Sequence, residues 1–191
     1  MKKHIIIAGV PRAGKSTVSK LISKKFGYQH ISMDAIIAGF EKNFPETGIN
    51  TEADMSSMDI LHNISHKIAP FIQSMIADGD YDECDYGMVI DIYQLLPEDY
   101  IKFINREQCD IFYFGTAECT KEERFKILKK YDTPQDYTYY KGDDENFEGC
   151  GYIVEQSNMI KAECKKYDLP YFDTTNNRER VIEQFIESSL A

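Results

Sequence analysis

Apolar residues in this chain come in two rhythms, and the two alternate from one end to the other. The unbroken run His4-Ile5-Ile6-Ile7-Ala8 reads as a short buried strand. Beyond residues 9–17, Val18, Leu21, Ile22 and Phe26 recur at helical spacing, and Gly27 suits a C-terminal cap. Tyr28-Gln29-His30-Ile31-Ser32 reads as a second strand. Ile36, Ile37, Phe40 and Phe44 mark the inner face of the next helix, which Pro45 closes. Residues 45–56 are polar and predict a loop. Ile60, Leu61, Ile64, Ile68, Phe71, Ile72, Met75 and Ile76 then keep one apolar face over a long helix, which Pro70 is expected to kink or divide. After an acidic turn over residues 79–85, Gly87-Met88-Val89-Ile90-Asp91 reads as a third strand.

The same alternation continues. Pro97 and Glu98 suit the first turn of a helix with Ile101 and Ile104 inward. Ile111-Phe112-Tyr113-Phe114 predicts a fourth strand, ended by Gly115. Thr120 and Glu123 form a capping-box pattern for a helix from Lys121 to about Tyr131. Residues 132–149 are polar and tyrosine-rich and predict a mobile loop. Ile153, Met159, Ile160, Cys164 and Tyr167 mark another helix, and Pro170-Tyr171-Phe172-Asp173 a fifth strand. Val181, Ile182, Phe185, Ile186 and Leu190 line one face of the last helix. Strands alternating with helices predict parallel βαβ units and a sheet covered on both faces. Ligands in such sheets bind beyond the carboxyl ends of the strands. Residues 9–17, Asp34, Asp91, Gly115 and Asp173 all follow strand ends, so they should share one rim.

Composition narrows the setting. A chain of 191 residues predicts one domain, with 42% hydrophobic and 28% charged residues, as in an ordinary globular protein. The five cysteines (84, 109, 119, 150 and 164) form no C-x-x-C pair, so reduced thiols are expected and not disulfides or a zinc site. The chain enters its first strand without an apolar leader and has no membrane-length apolar run, which predicts a cytoplasmic protein with no membrane partner. Acidic residues outnumber basic ones by 32 to 22, a net charge of −10, which argues against nucleic acid as a partner. Oligomeric state is left open between monomer and homodimer.

The stretch between the first strand and helix carries the chemistry. Gly9-Val10-Pro11-Arg12-Ala13-Gly14-Lys15-Ser16-Thr17 fits the phosphate-loop pattern G-x-x-x-x-G-K-[ST] at each fixed position. Glycines let backbone N–H groups turn inward around a polyphosphate, and the following helix points its positive end there. Lys15 would reach the β- and γ-phosphates of ATP, and the Ser16 hydroxyl would ligate Mg²⁺. With this loop, the segment Ser32-Met33-Asp34-Ala35-Ile36-Ile37 and five strands, the chain resembles the small P-loop kinases. These include nucleoside monophosphate, shikimate and gluconate kinases and chloramphenicol phosphotransferase. The resemblance implies a three-layer α/β fold with a parallel sheet of order 2-3-1-4-5. It further implies an acceptor-binding segment over residues 38–85 and a lid over residues 132–149.

The remaining candidates have two readings each. Asp34 is either a carboxylate that meets the acceptor or metal, or the N-cap of a helix starting at Ala35. Asp91 ends its strand as a metal-associated aspartate does, or satisfies nearby backbone. Its successor is Ile92, not the glutamate of a motor ATPase, and no N-K-x-D guanine-reading motif is present. Arg124 is expected at the transferring phosphate, while Lys126, Lys129 and Lys130 suit a solvated face. Arg12 would contact phosphate or acceptor, or point outward. The presumed lid has Lys141 but none of the arginines that nucleoside monophosphate kinases carry there, which weakens the case for a nucleotide acceptor. By resemblance, Asp173 and Thr175 fall in a loop against the adenine. His62 and His66 lie one helical turn apart without a third ligand in sequence. These residues lead to the expectation of an ATP- and Mg²⁺-dependent kinase acting on a small molecule. The alternative is a nucleotide-dependent regulatory protein with slow incidental hydrolysis.

Overall fold

In the computed structural model, which describes residues 3–51, 57–79 and 87–188, the centre of the molecule is the strand β1 (His4–Gly9), buried along its whole length. It pairs in parallel with β3 (Met88–Asp91) on one side and β4 (Cys109–Gly115) on the other. The sheet is completed by β2 (Gln29–Ser32) beside β3 and β5 (Tyr171–Asp173) beside β4, in the order β2-β3-β1-β4-β5. A strand with neighbours on both edges and helices on both faces cannot alternate in polarity, which is why Ile5, Ile6 and Ile7 stand in succession.

The helices form two groups that cover the sheet. On one side α1 (Lys15–Phe26) lies along β1, β2 and β3 and touches α7 (Arg178–Ser188). On the other, α3 (Met58–Gly79) packs on α4 (Pro97–Phe103), α4 on α6 (Asp143–Tyr167), and α6 on α5 (Lys121–Tyr131). The helix α2 (Met33–Asn43) follows β2 directly, and short 3-10 turns occupy Pro45–Thr47 and Tyr137–Tyr140. Phe112, Phe114, Phe172 and Phe185 join β4 and β5 to α7 as an aromatic cluster with ring centroids 4.9–6.3 Å apart. Among the described residues, no helix is long and apolar enough to cross a membrane.

Local signals act as their chemistry dictates. Gly27 caps α1 in the left-handed region, at φ 71°. Thr120 and Glu123 complete both halves of the capping box at α5, a pair of bonds that typically stabilises by about 1 kcal/mol. Four cysteines, Cys109, Cys119, Cys150 and Cys164, are buried free thiols, while Cys84 lies outside the described residues, as does Leu190.

Elsewhere packing overrides the pattern. Pro70 does not divide α3, which continues from Met58 to Gly79. Phe44 is not on an inner face: it lies just past α2 and is half exposed, its ring touching Phe40. Leu21 also faces solvent. Residues 132–149 are not a loop throughout, because α6 begins at Asp143. Asp143, Asp144 and Glu145 fill its first turn, where the helix dipole favours negative charge.

One contact sets the shape of the β1 exit. Gly9 has φ 121°, and a Cβ there would fall 1.9 Å from the Phe114 carbonyl oxygen. The chain can thus turn away from β1 while Val10 N–H still bonds that carbonyl, at 3.1 Å. Gly9→Ala should therefore destabilise the fold by about 3 kcal/mol or more, from overpacking and backbone strain together. Urea denaturation checks this, and an unchanged midpoint would contradict the close approach.

Candidate functional site

The carboxyl ends of β1, β2 and β3 open on a cleft of about 1280 Å³. Its floor is the loop after β1. Gly14, at φ 102°, starts α1, and the helix has neither a side-chain N-cap nor an acidic residue in its first turn. Its orphan N–H donors and positive dipole end are thus left for an external anion. Pro11, Arg12, Gly14, Lys15, Ser16 and Thr17 all line the cleft, and the side chains of Ser16 and Thr17 are exposed to it. Ala13 is buried, and its carbonyl accepts a 3.1 Å bond from Thr174 Oγ1, which ties the loop to the end of β5.

Lys15 is folded against the loop, its Nζ donating to the Val10 carbonyl at 2.9 Å. Burial pulls its pKa down, Asp91 and Asp34 pull it back up, and Arg124 lowers it further. The two carboxylates come from adjacent strands. Asp91 ends β3 level with Ile7 of β1 and Ser32 of β2; it is buried, 3.8 Å from His30 Nε2. Asp34 stands in the first turn of α2, whose N-cap position belongs to Ser32, so Asp34 is not the cap of a helix starting at Ala35. Its carboxylate faces the cleft. Burial raises its pKa; Lys15 lowers it, Asp91 raises it further, and a hydrogen bond from Gln94 lowers it. One cation and two carboxylates therefore share a single electrostatic environment at the strand ends.

Three arginines surround the loop, each in a different role. Arg12 adopts a left-handed backbone, φ 62°, at a cost of about 1–2 kcal/mol for a residue with a Cβ. Its guanidinium forms ion pairs with Asp136 and Asp132 and donates to the Tyr131 carbonyl at 2.9 Å. It points neither at a phosphate nor into open solvent; it latches the loop to the segment after α5. Arg124 is wholly buried behind the loop and donates to the Pro11 carbonyl at 3.1 Å, while its Nε and Nη1 have no hydrogen-bond partner among the described residues. It does not line the cleft, so here it supports the loop from behind. Arg178, which the sequence reading missed, lines the cleft, bonds Thr17 Oγ1 at 3.1 Å and lies over the Tyr131 ring.

The far wall is made by α6 and the 3-10 turn before it. Tyr137, Glu145, Glu148, Tyr152 and Gln156 line it, with Tyr93 and Gln94 from the segment after β3 opposite. Tyr93 donates to Gln156 Oε1 at 2.8 Å, and burial raises its phenol to about 12. None of Tyr93, Gln94 and Gln156 was singled out from sequence. Their only signal was position, because residues 93 and 94 follow the end of a strand whose rim already held Asp91.

Asp173 and Thr175 do not line the cleft. Asp173 accepts from the N–H groups of Ala117, Glu118 and Thr175, so its carboxylate joins two loops. His66 is engaged by Asp99 at 3.0 Å, and among the described residues no group of three or more His, Cys, Asp or Glu side chains is arranged to hold a metal.

No protein-family model matches the chain. A cytidylate kinase from Caldicellulosiruptor saccharolyticus is 36% identical over 83 residues, 42% of this chain and 37% of that protein. The match thus spans little more than a third of the relative's length. Two solved structures extend the likeness over the whole chain. A sugar kinase from Janibacter sp. HTCC2649 superposes with a TM-score of 0.57 at 12% identity, over 98% of this chain and 94% of its own. A shikimate kinase from Bacteroides thetaiotaomicron gives 0.57 at 16% identity, over 99% of each. At such identities the likeness is one of fold, and that fold is the one found in small P-loop kinases.

The Arg12 latch makes a dynamic prediction. Arg12→Ala should raise hydrogen exchange in residues 132–142 about tenfold, the equivalent of roughly 1.4 kcal/mol of local opening. Mass-spectrometric exchange reads this directly, and unchanged protection would show that the ion pairs contribute nothing there.

Proposed function

We propose that this chain is an ATP-dependent kinase that transfers the γ-phosphoryl group to a small-molecule acceptor. The observation that carries the reading is the convergence of an uncapped helix N-terminus, Lys15 and the Asp34 carboxylate on one cleft, with the buried Asp91 carboxylate beside Lys15. The first two suit a triphosphate, and the cleft beyond Asp34 leaves room for an acceptor. The fold it shares with a sugar kinase and a shikimate kinase supports the same class.

The residues present fit Mg²⁺. The exposed Ser16 hydroxyl and the Asp91 carboxylate are hard oxygen donors, and this ion takes few protein ligands beside phosphate and water. When bound, it would offset charge on the phosphate oxygens. The chain's own part is positioning. The N–H groups at the start of α1 and the Lys15 ammonium would hold the phosphates, with Arg124 keeping the loop in shape. Asp34 would accept the proton of the acceptor hydroxyl as its oxygen bonds to the γ-phosphorus. The bridging P–O bond then breaks and ADP leaves with the electron pair, while the proton passes to solvent. Residues 132–149, the 3-10 turn and the first turns of α6, would close over the phosphates as a lid that excludes water.

Two substitutions test this division of labour. Lys15→Ala should weaken Mg·ATP binding by the worth of a charged hydrogen bond, about 1.5–3 kcal/mol, or roughly 10- to 150-fold in Kd. Calorimetric titration measures it, with circular dichroism to verify the fold; full affinity in the variant would remove the loop from the mechanism. Asp34→Asn tests the base. Asp34 works ionised, and burial raises its pKa, so turnover should fall with acidification through a limb above the ordinary carboxylate range. The variant should lose that limb and about 10²–10⁴ in kcat while keeping ATP affinity. A pH–rate profile identical to the wild type would overturn the assignment.

A further inference from the structure

One arginine in the cleft keeps donors that no group of the chain uses. Arg12 is bound to Asp132 and Asp136, and Arg124 lies behind the loop. Residues 132–149 contain no arginine, and Lys141 among them is paired with Glu145. Arg178, the first residue of α7, lines the cleft beside the start of α1. A Cβ on Gly14 would lie 3.0 Å from its Nε, and its Nη2 donates to Thr17 Oγ1 at 3.1 Å. The guanidinium is held over the Tyr131 ring, 4.7 Å from the centroid, as a cation–π contact. Among the described residues, Nε and Nη1 have no hydrogen-bond partner and no carboxylate lies within 4.0 Å of the group. Glu179, its neighbour in sequence, is instead engaged by the Tyr131 hydroxyl at 2.7 and 2.9 Å. Burial and the Arg12 guanidinium lower the Arg178 pKa, with Tyr131, Glu179 and Asp136 acting the other way. Tying α7 to α1 and α5 needs only Nη2 and the stacked face. A partly buried guanidinium without an ion pair, close to a second one, costs free energy until an anion meets its remaining donors.

Resting on the reading of residues 9–17 as a phosphate loop, we propose that Arg178 binds the nucleotide, its Nε and Nη1 donating to oxygens of the α- and β-phosphates. The loop cradles these two phosphates, while its lysine reaches towards the β and γ. Gly14 and Thr17, the residues Arg178 approaches, belong to the loop and the first turn of α1. A planar fork suits two phosphate oxygens at once, which a lysine ammonium does not. Tyr131 serves as a shelf that fixes the plane of that fork. The phosphate charge is thus met from α7, and not by Arg124 or by residues 132–149.

Calorimetric titration of the full chain with Mg·ATP and Mg·ADP tests this apart from turnover. Arg178→Met keeps an unbranched side chain over Tyr131 and removes the charge. It should weaken both nucleotides by about tenfold or more, and by the same factor, because both carry the α- and β-phosphates. A lost charge contact also shows in the salt dependence. Between about 50 and 300 mM KCl the wild-type affinity should fall more steeply than that of the variant. A residue that only packs α7 against α1 would leave that slope unchanged. Arg178→Lys should fall between the two, since it restores the charge without the fork. Undiminished affinity in Arg178→Met, an unaltered salt slope, or a lysine variant no better than the methionine one overturns the proposal. Should Arg178→Met fail to fold by circular dichroism, the lysine variant decides: a loss of about threefold or more supports the fork, and full affinity overturns it. A wild type that binds neither nucleotide removes the phosphate-loop reading and this inference together. One that binds both but phosphorylates no acceptor sinks the kinase reading alone.

Discussion

Everything at the candidate site depends on how β1 is held between its two parallel neighbours. Its register puts Ile7 opposite Asp91 and Gly9 opposite Phe114, so β3 stops short of β1 and β4 runs just past it, with all three carboxyl ends on the same side. The backbone at Gly9 then passes within a distance of Phe114 that no side chain tolerates. This close approach fixes where the phosphate loop begins, and Thr174 and Arg124 hold it from β5 and α5. The loop is therefore built by contacts on the side away from the cleft. Its own polar groups stay available because other residues have taken over the structural work.

The second feature is the set of charges that one cavity brings together. Cations gather around the loop and the start of α1, where their fields add to the helix dipole. Asp34 lines the cleft close to Lys15 and is hydrogen-bonded by Gln94, while Glu145 and Glu148 line the α6 wall. Asp34 stands where the phosphate-loop side of the cleft meets the segment after β3. Its raised pKa follows from that position, since burial and Asp91 disfavour its charge while Lys15 favours it.

How much of this was legible in the sequence depended on the range of the interaction responsible. The loop from Gly9 to Thr17, the capping box at Thr120 and the Gly27 cap are local devices with fixed spacing, and the strand order followed from the resemblance those motifs carried. Phe44 and Leu21 had the right periodicity, but exposure is decided by which helices come to lie against them. The start of α6 at Asp143 was hidden because polar residues suit either a loop or an exposed helix turn. Arg124 was recognised as important for its charge, yet only the fold shows it behind the loop. The same holds for Arg12, whose partners Asp132 and Asp136 lie more than a hundred residues away. Tyr93 and Gln156 meet only because the fold brings the segment after β3 against α6, and Gln94 is set beside Asp34 by the same segment, so no spacing along the chain announces them.

The central claim is that the γ-phosphoryl group passes from ATP to an organic hydroxyl and not to water. Phosphorus NMR of the reaction in ¹⁸O-enriched water, with the best-binding acceptor present, distinguishes the two outcomes. The account predicts a new phosphoester signal that carries no solvent ¹⁸O, growing in step with ADP. Inorganic phosphate bearing ¹⁸O as the sole product would contradict it and identify the chain as a slow nucleotide hydrolase.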